Sequence, residues 1–182
     1  MLYYTPQIWC SDNTDPLDRL KIQYGTSFGY PASVISAHIS RSPNEQTGRI
    51  TPLETRGIAA MYGAFGFELD PALMSGEEKE LARQQIRDYE KYEKLIREGK
   101  YFRLSAPDEA AVCGWCFAED DGSEALVHAV RTRVCGNAPI YYLKIKGLKA
   151  GKTYLEEISG KVYPADILMQ AGVPIVQING EY

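Results

Sequence analysis

Five consecutive residues, Ser11-Asp12-Asn13-Thr14-Asp15, bring two carboxylates, two hydroxyls and an amide together directly after an apolar, aromatic-rich run. Carboxyl groups on a loop that follows a strand are raw material for general acid/base chemistry, because that is where α/β folds place their reactive groups. The two aspartates differ in the local duties open to them. Asp15 directly precedes Pro16, and a carboxylate capping a helix that starts with proline accounts for it completely. Asp12 has no such duty. It follows Trp9 and Cys10, and partial desolvation beside an indole raises a carboxyl pKa toward the range of a general acid. A turn-forming aspartate is the competing reading of the same position. His38, at the end of a second apolar run, is the other candidate for proton transfer, set against a buried, hydrogen-bonded histidine. Asn44 and Arg49 sit in the loop after it and read as solvated loop residues.

The pair Cys113 and Cys116 has the spacing of a redox or half-zinc motif, but it lies in VCGWCF, a strand-like segment in which residues three apart point to opposite faces. No second such pair or His pair completes a zinc set, so these cysteines read as small packing residues. With Cys10 and Cys135 they make four in the chain, too few for a disulfide framework, and reduced thiols are expected. A net charge of -4 leaves no basic patch for nucleic acid. No run approaches the roughly 18 apolar residues of a membrane helix, and the opening residues lack a basic, cleavable leader. A soluble protein without nucleic-acid or membrane partners is therefore expected. The absence of a P-loop, a dinucleotide glycine fingerprint, a Gly-x-Ser-x-Gly elbow and a HExxH pair excludes nucleotide, serine-hydrolase and zinc-protease chemistry.

The elements that must position these residues fall into two halves, with a seam near Gly99-Lys100. Residues 2–10 read as a strand; Leu17, Leu20 and Tyr24 then follow helical spacing, closed by Gly25. Residues 33–39 form a second strand and 41–50 a loop, after which Thr51-Pro52 opens a helix to residue 60. A third buried run spans 61–69, where Gly63 and Gly66 suggest close backbone packing. Ser75 and Glu78 make a capping box for a helix to about residue 97, with Leu81, Ile86, Tyr89, Tyr92 and Ile96 near one face and Gly99 as its stop. Three strand-loop-helix repeats predict a parallel α/β sheet. Beyond residue 100 the pattern is all-β: short strands at 111–118, 124–132, 140–146, 154–158 and 175–178, with no helix signal, predict an antiparallel β-sandwich or part of one.

The run LYYTPQIWCSDNTDPLDRLKIQYGTSFGYP, followed by SAHIS, PNEQTGR, TPLETRG and GAFGFELD, resembles glycoside hydrolase family 36, the α-galactosidases or melibiases, over residues 2–70. The resemblance implies that residues 1–99 are the C-terminal part of a (β/α)8 TIM barrel, about three βα units from strand six onward. Residues 100–182 would be the β-sandwich that continues it. It implies a retaining α-galactosidase acting on α-galactoside oligosaccharides such as melibiose or raffinose, with Asp12 as the proton donor and Trp9, Asn13 and His38 near the substrate. No metal or organic cofactor is needed. The family's nucleophile, in a KWD-type motif, and its glycine-rich CSGGGG-type segment are both missing, so the chain is expected to be a fragment, inactive alone, with an open sheet edge and an apolar face. The full-length enzyme is expected to be a cytoplasmic homo-oligomer. Two other readings stand beside this one. The tail could be a non-catalytic carbohydrate-binding module, with Trp115, Tyr141 and Tyr142 stacking on sugars rather than filling a core. Alternatively, the same scaffold could serve another α-glycosidase specificity, such as α-N-acetylgalactosaminidase or a transglycosylating synthase.

Overall fold

A computed structural model describes residues 3–134, 136 and 139–175. The chain divides into two compact units, Met1–Glu98 and Gly99–Tyr182. No helix among the described residues is long and apolar enough to cross a membrane.

The first unit is built from βα repeats. Of the strand expected at 2–10, Leu2 lies outside the described residues, and among the others only Ile8 pairs, through a single parallel bridge to Ile35. Its N–H donates to the Val34 carbonyl at 2.8 Å and its carbonyl accepts from Ser36 N–H at 3.0 Å. Pro6, lacking an N–H, cannot extend that ladder. Helix α1 (Pro16–Thr26) runs past Gly25 to a cap at Ser27. A 3-10 turn at Ala32–Val34 replaces the start of the second expected strand, leaving β1 as Ser36–Ser40. Helix α2 (Leu53–Ala60), strand β2 (Ala64–Glu68) and helix α3 (Gly76–Glu98) complete the unit. Strands β1 and β2 are parallel, with His38 opposite Gly66 and Ser40 opposite Glu68.

Alternation along these strands separates two faces. Ile39 belongs to the core with Leu53 and Ala60 of α2, against which Phe65 and Phe67 pack. Ser36, His38 and Ser40, with Gly66 and Glu68 beside them, therefore face the opposite side, away from the helices. Gly63 is required where it stands, since an added Cβ would lie 2.2 Å from the Ile35 carbonyl oxygen, whereas Gly66 has nothing within 4 Å and is not a packing glycine. The capping box forms as expected, with Glu78 N–H on Ser75 Oγ at 3.1 Å and Ser75 N–H on Glu78 Oε2 at 2.9 Å. The buried stripe of α3 runs through Ala82, Gln85, Leu95 and Ile96, and Ile86, expected near the buried face, is exposed one position off it.

The second unit is antiparallel throughout its ladders. Strands β3 (Lys100–Ser105), β4 (Val112–Ala118) and β5 (Ala125–Arg131) form a three-stranded sheet with β4 central and every residue of it buried. Strand β6 (Tyr141–Leu143) pairs with β9 (Val173–Ile175), and β7 (Thr153–Glu156) with β8 (Lys161–Pro164). The sequence reading missed β3, β8 and the helix α4 (Ala165–Gln170), which is only six residues long and carries no side-chain cap. Residues 176–178 of the last expected strand lie outside the described residues. The end of β6 packs on β4: Leu143 fills the space left by Gly114, whose added Cβ would approach it to 2.7 Å. Cys113 and Cys116 are buried free thiols whose pKa values burial raises to about 12 and about 11, so packing is their role and thiolate chemistry is closed to them. Cys135 lies outside the described residues.

Candidate functional site

The loop of residues 11–15 is fixed from several sides before any chemistry is considered. Asp15, fully buried, accepts from the N–H groups of Leu17 and Asp18 at 3.0 and 3.1 Å, capping α1. Its other oxygen accepts from Thr47 Oγ1 at 2.7 Å and Arg49 Nε at 2.9 Å. Burial pushes its pKa up, but the Thr47 hydroxyl, the Asp18 N–H and the Arg49 guanidinium outweigh that and hold it below the usual value. Asp15 is therefore a structural carboxylate, ionised at neutral pH.

A second strap comes from the loop after β1. Asn44 is buried; its Nδ2 donates to Thr14 Oγ1 at 2.9 Å, while its Oδ1 accepts from the N–H groups of Gln46 and Thr47. Gln46 Oε1 accepts from Thr14 N–H at 3.0 Å, and its Nε2 donates to the Asp12 carbonyl at 2.9 Å. Ser40 Oγ donates to the Thr14 carbonyl at 2.8 Å. From the other side, the buried Arg19 reaches out of α1 to the carbonyls of Ser11 at 3.1 Å and Ser36 at 2.8 Å. Asn13 is engaged within the loop, its amide donating to Asp18 at 2.9 Å and accepting from Asp15 N–H at 2.9 Å. In this conformation its contribution is to loop shape.

Asp12 is different from all of these. Its backbone is clamped by Gln46, its side chain is exposed, and among the described residues no hydrogen bond or ion pair engages its carboxylate. The desolvation expected from Trp9 is not supplied within this chain, since Asp12 is exposed and the indole lies flat on His38 instead, centroids 4.2 Å apart and planes at 7°. His38 is buried on the face of β1 away from the helices, with Nε2 2.8 Å from Glu68 Oε2. The two groups touch without meeting hydrogen-bond geometry. Burial, with the Arg19 charge adding to it, lowers the His38 pKa to about 4, leaving a neutral imidazole at pH 7.

Sequence reasoning singled out Asp12, Asp15, Trp9 and His38 and assigned Asn44 and Arg49 to solvent, where the structure makes them clamps. The signal available was the density of Asn, Gln and Thr before Gly48, whose φ of 69° marks a tight turn; what the turn would hold lies 30 or more residues upstream. Gln46, Arg19 and Glu68 were missed. In the second unit Trp115 is in the core, stacked on His128, and offers no free face for a sugar; Tyr141 is half-buried with its hydroxyl donating to Ser105, and Tyr142 is exposed.

Comparisons with known proteins agree along the whole chain. The Melibiase family model matches residues 1–99 and the glycosyl hydrolase family 36 C-terminal domain matches residues 112–182. The chain is 51% identical over its full length to the bifunctional alpha-galactosidase/sucrose kinase AgaSK of Mediterraneibacter gnavus, covering 20% of that protein. It is 48% identical to the alpha-galactosidase AgaA of Geobacillus stearothermophilus, covering 25%. The solved galactosidase domain of AgaSK superposes with a TM-score of 0.96 over all of this chain and 25% of that one. A variant of the Geobacillus AgaA in complex with raffinose superposes at 0.95, with 45% identity and the same coverages. The chain therefore spans a fifth to a quarter of the length of these relatives.

Proposed function

Because the chain belongs to the melibiase family of glycoside hydrolases, we propose that it carries the acid/base side of a retaining α-galactosidase active site, with Asp12 as the proton donor. The observation that supports this most is the contrast between two aspartates three residues apart. Asp15 is fully engaged in holding the loop, whereas Asp12 is held by its backbone and leaves its carboxyl group open. A rigid loop presenting an unengaged carboxyl after the C-terminal end of a strand is what a general acid requires. In this reading residues 1–99 are about three βα units of a (β/α)8 barrel, and residues 100–182 are an antiparallel β-sandwich.

The reaction is a double displacement. Protonated Asp12 gives its proton to the glycosidic oxygen while a second carboxylate, supplied from outside these 182 residues, attacks the anomeric carbon. Asp12, now ionised, takes a proton from the water that opens the galactosyl-enzyme ester, and the product keeps the α configuration. Two carboxyl groups about 5–5.5 Å apart suffice for this chemistry. The substrates are α-galactoside oligosaccharides such as melibiose and raffinose; the Geobacillus relative with raffinose bound supports that class.

Three βα units cannot close an eight-stranded barrel, since closure fixes strand number, tilt and shear together. Residues 1–182 alone are accordingly expected to leave a nitrophenyl α-galactoside intact. The same residues joined behind the preceding part of the Mediterraneibacter galactosidase domain are expected to hydrolyse it, releasing α-galactose first, as followed by proton NMR. Turnover by residues 1–182 alone, or β-galactose as the first product of the fusion, would contradict this assignment.

A further inference from the structure

The Asp12 carboxylate has no hydrogen bond or ion pair among the described residues to aim it, so its direction is set by the backbone around it. A Cα–Cβ bond is fixed in space once the planar peptides on either side of it are fixed. The peptide before the Asp12 Cα is held at the Ser11 carbonyl by the buried Arg19, at 3.1 Å. The peptide after it is held at the Asp12 carbonyl by Gln46 Nε2, at 2.9 Å. Among the described residues Gln46 is the one side chain that bonds Asp12 itself, and it lies 34 residues downstream.

That contact has a specific pattern. The Gln46 amide donates to the carbonyl of residue 12 and accepts from the N–H of residue 14, the two positions flanking Asn13. A residue in a parallel ladder makes the same pair of bonds to the neighbours of its partner, as Ile8 does to Val34 and Ser36. The side-chain amide thus takes the place of a strand neighbour where the loop has left the sheet. Gln46 is itself fixed, its N–H donating to Asn44 Oδ1 at 3.0 Å. The turn around it is closed by Asn44 N–H on the Arg49 carbonyl and Gly48 N–H on the Asn44 carbonyl, both at 2.8 Å. Donor and acceptor of the amide are both engaged within the first unit.

We propose that Gln46 is a positioning residue for the proton transfer: by pinning the peptide that follows Asp12, it sets the direction of the carboxyl group toward the leaving oxygen. This rests on the reading of Asp12 as the acid. The other anchors supplied by the same turn, Thr47 and Arg49 on Asp15 and Asn44 on Thr14, shape the loop from two or three residues away. Proton transfer tolerates little error, because a displacement of about 1 Å at a reacting group costs up to about a hundredfold in rate.

The test compares phenyl and dinitrophenyl α-galactosides in the fusion enzyme described above. The two leaving groups share a ring, but phenolate leaves poorly without a proton and dinitrophenolate needs none. Gln46→Met keeps the length of the side chain and removes both hydrogen bonds. It is expected to lower kcat/KM, which reports the first displacement, about ten- to a hundredfold on the phenyl glycoside and less than about twofold on the dinitrophenyl one. A loss shared equally by both substrates would mean a structural role or a pocket contact, and no loss on either would mean that the clamp does not aim the acid; each overturns the proposal. Asp12→Asn and the double variant supply the second arm. With the carboxyl group gone there is nothing to aim, so adding Gln46→Met to Asp12→Asn should cost less than about twofold more on the phenyl glycoside. A further loss as large as that of Gln46→Met alone would overturn the proposal. If Asp12→Asn loses no more on the phenyl than on the dinitrophenyl glycoside, the acid assignment fails and the role of Gln46 with it; if it shows that selective loss and Gln46→Met does not, only the positioning role fails.

Discussion

Two aspartates in one five-residue loop do opposite things, and the reason is what each can reach. Asp15 lies under Thr47 and Arg49 and against the first N–H groups of α1, so its charge is neutralised by donors on both sides. Removing it strands those donors. Asp15→Ala is expected to lower unfolding stability by about 2–3 kcal/mol, the sum of a lost helix cap and a lost buried acceptor. Arg49→Ala should cost under about 1 kcal/mol, because Arg49 is itself 43% exposed and its ion pair is partly screened by water. Urea denaturation of both variants checks the order; equal losses would mean that the ion pair, rather than the cap, holds the loop. The bland role of Asp15 was legible in the sequence because Asp-Pro is a local signal. The open role of Asp12 was legible only by elimination, and the environment predicted for it was not found: its indole neighbour is turned onto His38.

At the scale of elements, what the sequence carried depended on how local each signal was. The capping box at Ser75, the Asp15-Pro16 start of α1 and the buried run VCGWCF all declare themselves within a few residues, and all are where the sequence reading placed them. The strand expected at residues 2–10 did not extend past one bridge, because aromatic and β-favouring composition says nothing about whether a neighbouring strand is there to pair with. Likewise the pairing of β6 with β9 joins segments some thirty residues apart that carry no mark of each other. Strand β5 holds a further consequence. His128 is buried against Trp115 on β4, and burial lowers its pKa to about 4 from 6.5. The unfolded chain therefore binds a proton between those two values that the folded chain excludes, so stability is complete above pH 6.5 and declines as pH falls toward 4. His38, lowered to about 4 by burial and then by the Arg19 charge, acts in the same direction. Denaturation midpoints measured at pH 7 and pH 5 are expected to fall with pH, and His128→Phe should flatten part of that slope. A slope unchanged by the substitution would mean that His128 is not excluded from protonation in the fold.

For the whole molecule, the decisive feature is that the loop proposed to carry the proton donor stands in a chain that covers only a fifth to a quarter of its relatives' length. The anchors of that loop, Arg19, Ser40, Asn44, Gln46, Thr47 and Arg49, all lie within the first unit. The contacts that hold the loop thus come from the first unit, whereas the proposed catalysis needs a nucleophile that these 182 residues do not carry in the family's motif. The family was legible because several motifs recur in order over residues 2–70; the clamp was not, because hydrogen bonds between residues 30 or more positions apart leave no local trace. The most direct measurement is azide rescue of Asp12→Ala in the fusion enzyme, with nitrophenyl α-galactoside as a substrate whose leaving group needs no acid. With the nucleophile intact and the acid/base gone, the galactosyl-enzyme should accumulate, and azide should attack it to give α-galactosyl azide with faster turnover. A β-configured azide, or wild-type turnover that azide does not change, would contradict the assignment of Asp12 as the proton donor.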